Sequence, residues 1–308
     1  MPRNPFAHPE FWEVAARIGG ILLLGLLGVL LAERKRLRTI GNSTLFLRVR
    51  SWAVIAPIFV LALFAGGFFV FLLAAFVALQ GGAEYARLTG LQRRYAWLVI
   101  IWTLVGLLVA AFARRYFLFL PLGFFFLLTL GPILTGEVED AHDQVADALF
   151  GYLYVGLPMA YLVFIKAAEE WGLEFLLIVG LAVALSDVCA FVVGSALKGP
   201  KLAPTVSPNK TWAGTLGNLV GAAIGVAILG FLIPDNWTAA GTVALVVVLA
   251  VAAVWGDLTE SVIKRDFAVK DAGDLIPGFG GILDRVDSLL FAMPLGYYGL
   301  LVVNRMAS

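Results

Sequence analysis

Long apolar runs separated by short polar loops recur along the whole chain, which has 308 residues. A helix that spans a bilayer needs about 20 apolar residues, within a tolerance of roughly 17 to 25. That length predicts spanning helices near 14–32, 96–113, 116–134, 149–167, 172–195, 211–233, 237–258 and 288–304. The remaining run, 51–80, is too long for one perpendicular helix and carries Gly66-Gly67 near its middle, so it fits either one tilted helix or two short helices. The pattern therefore predicts an all-α, polytopic membrane protein with about nine or ten spans.

The charges of the loops predict which side of the membrane each loop faces. The segment 33–50 carries six arginines and lysines against Glu33 as its only acid, and an excess of basic residues is typical of cytoplasmic loops. A second basic group follows the long apolar run and comprises Arg87, Arg93 and Arg94. Both groups can be cytoplasmic only if the chain crosses twice between 51 and 80, which gives about ten spans and an N-terminus outside.

The same count places three further loops in the cytoplasm, namely 135–148, 196–210 and 259–287. One pair of basic residues disagrees with this count, because Arg114-Arg115 then lies at the outer surface. We expect one membrane domain, 1–308, in which 1–134 supplies N-terminal helices and 135–308 supplies the helices and loops that carry the chemistry.

Composition agrees with a membrane protein and excludes other classes. Hydrophobic residues make up 61% of the chain and charged residues 14%, whereas roughly a quarter of the residues of soluble domains are charged. The basic residues are scattered over loops, so no basic face predicts nucleic-acid binding. One cysteine excludes a disulfide framework. Glu10 and Glu13 precede the first apolar run without a basic segment, so we expect a retained span and not a signal peptide.

Charge is concentrated in the segment 257–287, which holds 11 of the 43 charged residues in 31 positions. Seven acids and four bases flank a glycine-rich turn at 277–281. Acids suit hard divalent cations, bases suit phosphate oxygens, and glycines let backbone N–H groups approach an anion. The combination predicts metal-assisted phosphoryl or nucleotidyl transfer.

Spacing places part of this segment on one face of a helix. Asp257, Glu260, Ser261 and Lys264 follow the spacing i, i+3, i+4, i+7. Asp284 and Asp287 begin the last helix, where acids also complement the helix dipole. An acid at the inner end of a membrane helix is costly unless it is paired or binds an ion. A salt-bridged helix end is the alternative, but a folded hairpin makes Asp257 and Asp284 the best pair for magnesium.

Three other features are candidates for function. Lys210 lies at the start of a predicted helix, where N–H groups favour anions, with the hydroxyls of Ser207 and Thr211 beside it. Asp187 lies inside a predicted span, which indicates function by default, although pairing with a hydroxyl of a neighbouring helix also explains it. Glu84, together with Tyr85 and Arg87, marks a helix end that either contacts a headgroup or belongs to an interfacial belt.

The charged segment also resembles a known family. Its matching positions, in order and spacing, are Ser261, Lys264-Arg265, Lys270-Asp271, Gly273, Pro277, Gly280-Gly281 and Asp284-Arg285-x-Asp287. They are similar to the C-terminal signature of the phosphatidate cytidylyltransferases, the membrane enzymes that make CDP-diacylglycerol. Phe279 departs from the pattern, since the family has histidine there.

A second match lies upstream and extends the resemblance. The segment 207–214 resembles the family's Ser-Pro-Lys-Lys-Thr-Trp-Glu-Gly loop, with Asn209 for a lysine and Ala213 for the glutamate. Asp187, Phe191 and Gly194 fill the places of a further family segment. The resemblance covers roughly the last 120 residues, and the N-terminal half only through its hydrophobic pattern and Glu84-Tyr85-x-Arg87-Leu88.

The resemblance implies an activity and a set of residues. It implies a CTP-dependent cytidylyltransferase that converts phosphatidate and CTP to CDP-diacylglycerol and pyrophosphate, in the inner (cytoplasmic) membrane with its site facing the cytoplasm. Catalytic roles fall to Lys210, Lys264, Arg265, Asp257 and Asp284. Substrate-binding roles fall to Ser207, Thr211, Asp187, Lys270, Asp271, Gly280, Gly281, Arg285 and Asp287. The expected cofactor is Mg²⁺ on Asp257 and Asp284, with a second cation and a homodimer left open.

Two alternatives remain open at this stage. A related enzyme could act on another lipid phosphate, of polyprenyl or archaeal type, or transfer phosphate from CTP as a lipid kinase. A secondary transporter also combines broken helices with buried acids. Against a transporter, the charges lie in two loops on one predicted side, and Asp187 is the only clear acid well inside a predicted span.

Overall fold

The protein is described by a computed structural model that covers residues 4–34, 40–41, 43–269, 271–273 and 280–307. The described part is built from α-helices of the following bounds: α1 Phe11–Ala32, α2 Thr44–Ala65, α3 Gly67–Leu88, α4 Arg93–Phe112, α5 Leu120–Thr135, α6 Ala141–Gly151, α7 Leu157–Ala168, α8 Gly172–Leu197, α9 Trp212–Ile228, α10 Ala239–Asp266 and α11 Leu283–Ala307. Within the described residues, nine helices are long and apolar enough to cross a membrane, and α9 is a shorter apolar helix. The predicted all-α, polytopic architecture is confirmed.

The long apolar run 51–80 is divided between two helices. Gly66 separates α2 from α3 in a single residue, with φ at 111°, a conformation that residues with a side chain rarely adopt. Each helix has 22 residues, and 22 residues at 1.5 Å per residue span roughly 33 Å. Of the two readings of this run, the two-helix reading is therefore correct, although the helices are not short.

Several helices extend beyond the apolar runs that predicted them. A single π-turn at Tyr152–Gly156 joins α6 and α7 into one continuous helix, which begins at Ala141 where apolar length alone predicted a start near 149. Helix α10 continues to Asp266 and carries its charged face on regular helix. Apolar length underestimates these helices because the first turns of α6 and the last turns of α10 carry polar residues.

The upstream motif forms a β-hairpin where the sequence predicted only a loop. Strand β1, Lys201–Ala203, pairs antiparallel with β2, Ser207–Thr211, so that Lys201 lies opposite Thr211. Thr211 then caps α9, since its Oγ1 accepts a hydrogen bond from the Gly214 backbone N–H at 3.1 Å. The hairpin thus holds Lys210 at a fixed place beside the start of α9.

Helices α8 and α9 pack closely along a row of glycines. A Cβ on Gly221 would lie 2.3 Å from the Leu185 carbonyl oxygen, and a Cβ on Gly217 would lie 2.6 Å from that of Cys189. Small residues let helix backbones approach in this way. Beside them, Asn218 Nδ2 donates to Ser186 Oγ at 2.9 Å. This contact places Asp187, the next residue of α8, beside Ser288 of α11 and Asp257 of α10.

Both motif segments lie at one end of the helix bundle. Arg265 Nε on α10 donates to the Val206 carbonyl of the hairpin at 3.3 Å, and the Ile282 N–H donates to Glu84 near the end of α3 at 3.0 Å. We call this end, which contains the hairpin and the start of α11, the motif end. At the opposite end, the Thr238 N–H donates to Asn304 Oδ1 at 3.1 Å.

Candidate active site

Lys264 joins the two charged helices at the centre of the site. Its Nζ lies 2.5 Å from Glu260 Oε2, one turn earlier on α10, and 2.8 Å from Asp284 Oδ1 at the start of α11. Glu260 as a whole residue is 2% exposed. An acid buried to that extent needs a partner, and the lysine supplies one for two acids at once. Lys264 therefore stabilises the contact between α10 and α11.

Asp284 organises the glycine turn through its second oxygen. Oδ2 accepts hydrogen bonds from the backbone N–H groups of Ala272, at 3.0 Å, and Gly281, at 2.8 Å. Gly280 has φ at 80°, and a Cβ there would lie 2.6 Å from the same oxygen. The Asp284 carboxylate leaves no room for a side chain at Gly280, and the Glu84 carboxylate leaves none at Gly281. The Gly281 N–H already donates to Asp284 and so has a partner within the protein.

Lys210 reaches from the hairpin to α10. Its Nζ lies 2.7 Å from Asp257 Oδ2 and donates to the Val254 carbonyl at 3.4 Å. The second oxygen of Asp257 has a weak contact with Ser261 Oγ at 3.5 Å. The side chain of Lys210 is 21% exposed and that of Asp257 is 38% exposed, so a ligand can approach this pair without a rearrangement of the bundle.

Two further acids lie next to this pair. Ser288 Oγ donates to Asp187 Oδ1 at 3.3 Å, while the Ser288 backbone N–H donates to Asp287 Oδ1 at 2.7 Å. Asp287 interacts electrostatically with Asp257 and with Asp187. The hydroxyl expected as a structural partner of Asp187 is therefore present, but the same residue also belongs to the acidic group.

The acidic group contains more acids than bases. Five acids from α8, α10 and α11 meet the two lysines, with Arg285 as a further electrostatic neighbour of Asp187. The acids are Asp187, Asp257, Glu260, Asp284 and Asp287. Among the described residues, no three Asp, Glu, His or Cys side chains converge as a metal site would require. Asp257 and Asp284 are held by different lysines.

The remaining predicted residues have different positions. Thr211 is buried as the cap of α9, and Ser207 is half-buried on β2. Arg265 and Asp271 are exposed. Lys270 and the segment 274–279, which includes Phe279, lie outside the described residues.

A cavity of about 520 Å³ opens between the end of α3 and the segment that follows α10. It is lined by Gln80, Arg87, Leu88, Val269, Asp271, Ala272 and Gly273. Asp271 therefore joins the site through this cavity and not through the lysine pairs. The cavity brings the predicted binding residue Asp271 together with Arg87, for which the sequence left two interpretations open.

Sequence reasoning missed the role of Glu84. It is fully buried and accepts hydrogen bonds from the backbone N–H groups of Ile282, at 3.0 Å, and Leu283, at 2.8 Å. Neither a lipid headgroup nor an interfacial belt describes this contact, since the partner is the start of α11. The match of Glu84-Tyr85-x-Arg87-Leu88 to the family was the available signal, but its partner lies almost 200 residues away.

Comparisons with known proteins identify similar chains. The chain is 37% identical over 180 residues to a phosphatidate cytidylyltransferase of Brucella suis biovar 1 (strain 1330), which is 56% of this chain and 64% of the relative. It is 35% identical over 156 residues to that of Bacillus subtilis (strain 168), which is 51% of this chain and 58% of the relative. An uncharacterized protein of Escherichia coli (strain K12), YnbB, is 33% identical over 188 residues, 59% of this chain and 62% of the relative.

The alignments thus span a little under two thirds of the relatives' own length. The model of the cytidylyltransferase family matches residues 46–303, which include both motif segments and all five acids of the site. The chain belongs to the cytidylyltransferase family.

Proposed function

We propose that the protein is a phosphatidate cytidylyltransferase that makes CDP-diacylglycerol and pyrophosphate from CTP and phosphatidate. The observation that carries the proposal is the meeting of the two motif segments, through Lys210 and Asp257, at one end of a membrane bundle. Relatives that are 35% and 37% identical to this chain bear the name of that enzyme.

The reaction requires positioning and charge neutralisation more than covalent help. An oxygen of the lipid phosphate attacks the α-phosphorus of CTP, the bond from that phosphorus to the bridging oxygen breaks, and pyrophosphate leaves with the electron pair. A phosphate monoester is already an anionic nucleophile near neutral pH, so no general base is needed. Lys210, Lys264 and Arg265 would offset the negative charge of the two substrates.

The proposal assigns magnesium to the carboxylates of Asp257 and Asp284, although the described side chains do not converge as a preformed metal site. Five carboxylates and two lysines lie in this group, and carboxylate oxygens are the ligands that this ion prefers. Asp257 and Asp284, which now contact Lys210 and Lys264, would hold the ion. Bound there, magnesium would neutralise triphosphate charge. The excess of acids also leaves room for a second cation.

The proposal includes an orientation and an acceptor. The basic groups of the sequence, including Arg34 and Arg93, flank the motif end, which supports a cytoplasmic motif end in an inner membrane. CTP is available on that side. A lipid phosphate would reach the site from the bilayer, with its acyl chains against the apolar helix surfaces.

A substrate panel tests the proposal. The full chain, purified in detergent, is incubated with CTP, magnesium and one lipid phosphate at a time: phosphatidate, a polyprenyl phosphate or an archaeal-type lipid phosphate. We expect CDP-lipid from phosphatidate and little from the others. Product from another lipid alone would reassign the acceptor, and no CDP-lipid from any of them would refute the proposed activity.

A further inference from the structure

Glu84 holds the start of α11 from a distant part of the chain. Its two carboxylate oxygens accept the N–H groups of Ile282 and Leu283, at 3.0 Å and 2.8 Å. The first N–H groups of a helix have no partner within the helix, so they need one from elsewhere. A carboxylate suits this place because it also complements the positive end of the helix dipole.

Glycines on both sides of Glu84 make room for its carboxylate. A Cβ on Gly281 would lie 2.3 Å from Glu84 Oε2, and a Cβ on Gly273 would lie 2.8 Å from Glu84 Cδ. Gly281 also donates its N–H to Asp284. Three consecutive backbone N–H groups, of residues 281 to 283, are thus held by two carboxylates.

The contact leads directly to the reacting region. Residues 281–283 precede Asp284, which contacts Lys264 at 2.8 Å. A displacement of this turn would therefore move Asp284 and its lysine together. On the same helix, Gln80 and Arg87 line the cavity beside Gly273, so α3 both anchors the turn and forms part of the cavity wall.

We infer that Glu84 is a positioning residue of the active site: it fixes the turn 281–283 and, through that turn, the place of Asp284 and Lys264. This inference rests on the proposed function for its catalytic part, since the reaction is what makes the position of Asp284 matter. The contact itself rests on geometry alone.

Glu84→Gln is the test variant, because it keeps size while removing the charge and one of the two acceptors. Glu169→Gln is the matched control: this glutamate accepts a hydrogen bond from the Tyr297 hydroxyl at 2.7 Å, at the opposite end of the bundle. Gly273→Ala, which crowds the Glu84 carboxylate from the other side, serves as a second route to the same effect.

Two measurements are made on each full-length variant. Hydrogen exchange followed by mass spectrometry reports the amides of 281–286, and steady-state kinetics reports kcat and the KM for CTP. For Glu84→Gln we expect faster exchange confined to this turn and a kcat at least about tenfold lower with little change in KM, a loss of about 1.4 kcal/mol in the transition state. Gly273→Ala should change both measurements in the same direction, and Glu169→Gln should change neither.

Unchanged exchange at 281–286 in both test variants would overturn the inference, as would faster exchange with a normal kcat, because the contact would then be only structural. A wild-type chain that makes no CDP-lipid would instead refute the proposed function. The exchange result would still decide whether Glu84 holds the turn, so the two failures are distinguishable.

Discussion

Lys210 and Lys264 each contact an acid of α10, and these two acids, Asp257 and Glu260, lie three residues apart on one face of the helix. The two lysines therefore place positive charge at two points along that face. Lys210 contacts Asp257 at 2.7 Å, and Lys264 contacts Glu260 and Asp284 at 2.5 Å and 2.8 Å. Under the proposed function, substrate phosphates would compete for these lysines and free the acids for a cation.

The acids give the first prediction. Asp257→Asn and Asp284→Asn should each reduce kcat about 100-fold or more, about 3 kcal/mol, because each removes a carboxylate proposed to hold magnesium. The double variant should cost little beyond either single one, since residues that act as a unit are not additive. Steady-state assays with purified protein measure this, with Asp235→Asn, an exposed acid at the opposite end, as control. Purely structural roles would instead give less folded protein with normal activity in the remainder.

Substitution of a lysine in the hairpin gives the second prediction. Lys210→Met should lower kcat/KM for CTP about 100-fold, because it removes the cation proposed to meet the triphosphate and leaves Asp257 unpaired. Lys201→Met is the matched control, as Lys201 is an exposed lysine on the paired strand of the same hairpin. Equal losses for both variants would mean that general surface charge, and not the Lys210 position, accounts for the effect.

The residues that sequence could identify are those whose partners are near in the chain or whose type implies chemistry. Asp257, Glu260 and Lys264 follow helix spacing, so their common face was predictable. The contact between Glu84 and Leu283 joins residues almost 200 positions apart, and no local pattern encodes it. The same holds for the pairing of Lys210 with Asp257, since it depends on how the hairpin folds against α10.

At the scale of elements, the glycine row of α9 explains how an acid inside α8 comes to lie beside the site. Gly217, Gly221 and Gly225 face the α8 backbone so closely that a Cβ on any of them would approach it within 2.3 to 2.6 Å. The resulting contact sets the position of Asp187 relative to Lys210 and Ser288.

This packing gives the third prediction. Gly221→Ala should lower the melting temperature of the detergent-solubilised protein, because overpacking of a tight contact costs typically about 1 to 3 kcal/mol. Gly20→Ala is the control: Gly20 is also a helical glycine, but nothing lies within 4 Å of its Cβ position. A thermal unfolding scan of both variants measures the difference. A Gly221→Ala protein as stable as the Gly20→Ala protein would show that α8 and α9 can separate without cost.

Helix number was predictable because apolar length decides it, and helix ends were less so. The length of the run 51–80 is compatible with one helix or with two, and the structure shows two, separated at Gly66. The hairpin at 201–211 was predicted as a loop, since its strands are short and lack the alternation of apolar residues that indicates strand.

At the scale of the whole molecule, the bundle has two unlike ends. The motif end carries the hairpin, the cavity and the paired lysines, while the opposite end carries an aromatic group with Trp171, Trp237 and Tyr297. Trp237 and Tyr297 are buried, so this aromatic group closes the core of the bundle at that end. The proposed orientation puts the motif end in the cytoplasm.

Cysteine labelling tests that orientation and is the fourth prediction. In a Cys189→Ala background, single cysteines at Thr205 and Asp271 should be protected from an impermeant thiol reagent in intact cells, whereas cysteines at Tyr116 and Asp235 should react. All four positions are exposed in the described structure, so burial does not explain protection. Permeabilised cells serve as the control in which Thr205→Cys and Asp271→Cys must also react. Labelling of these two positions in intact cells would place the site outside.

The transfer of label from CTP tests the central claim most directly. The purified protein is given phosphatidate, magnesium and CTP labelled either at its α-phosphorus or at its γ-phosphorus, and the lipid product is extracted. Cytidylyl transfer predicts that the α-label enters the lipid while the γ-label leaves in pyrophosphate. Entry of the γ-label into the lipid would identify a CTP-dependent kinase, and the absence of both labels from the lipid would contradict the account altogether.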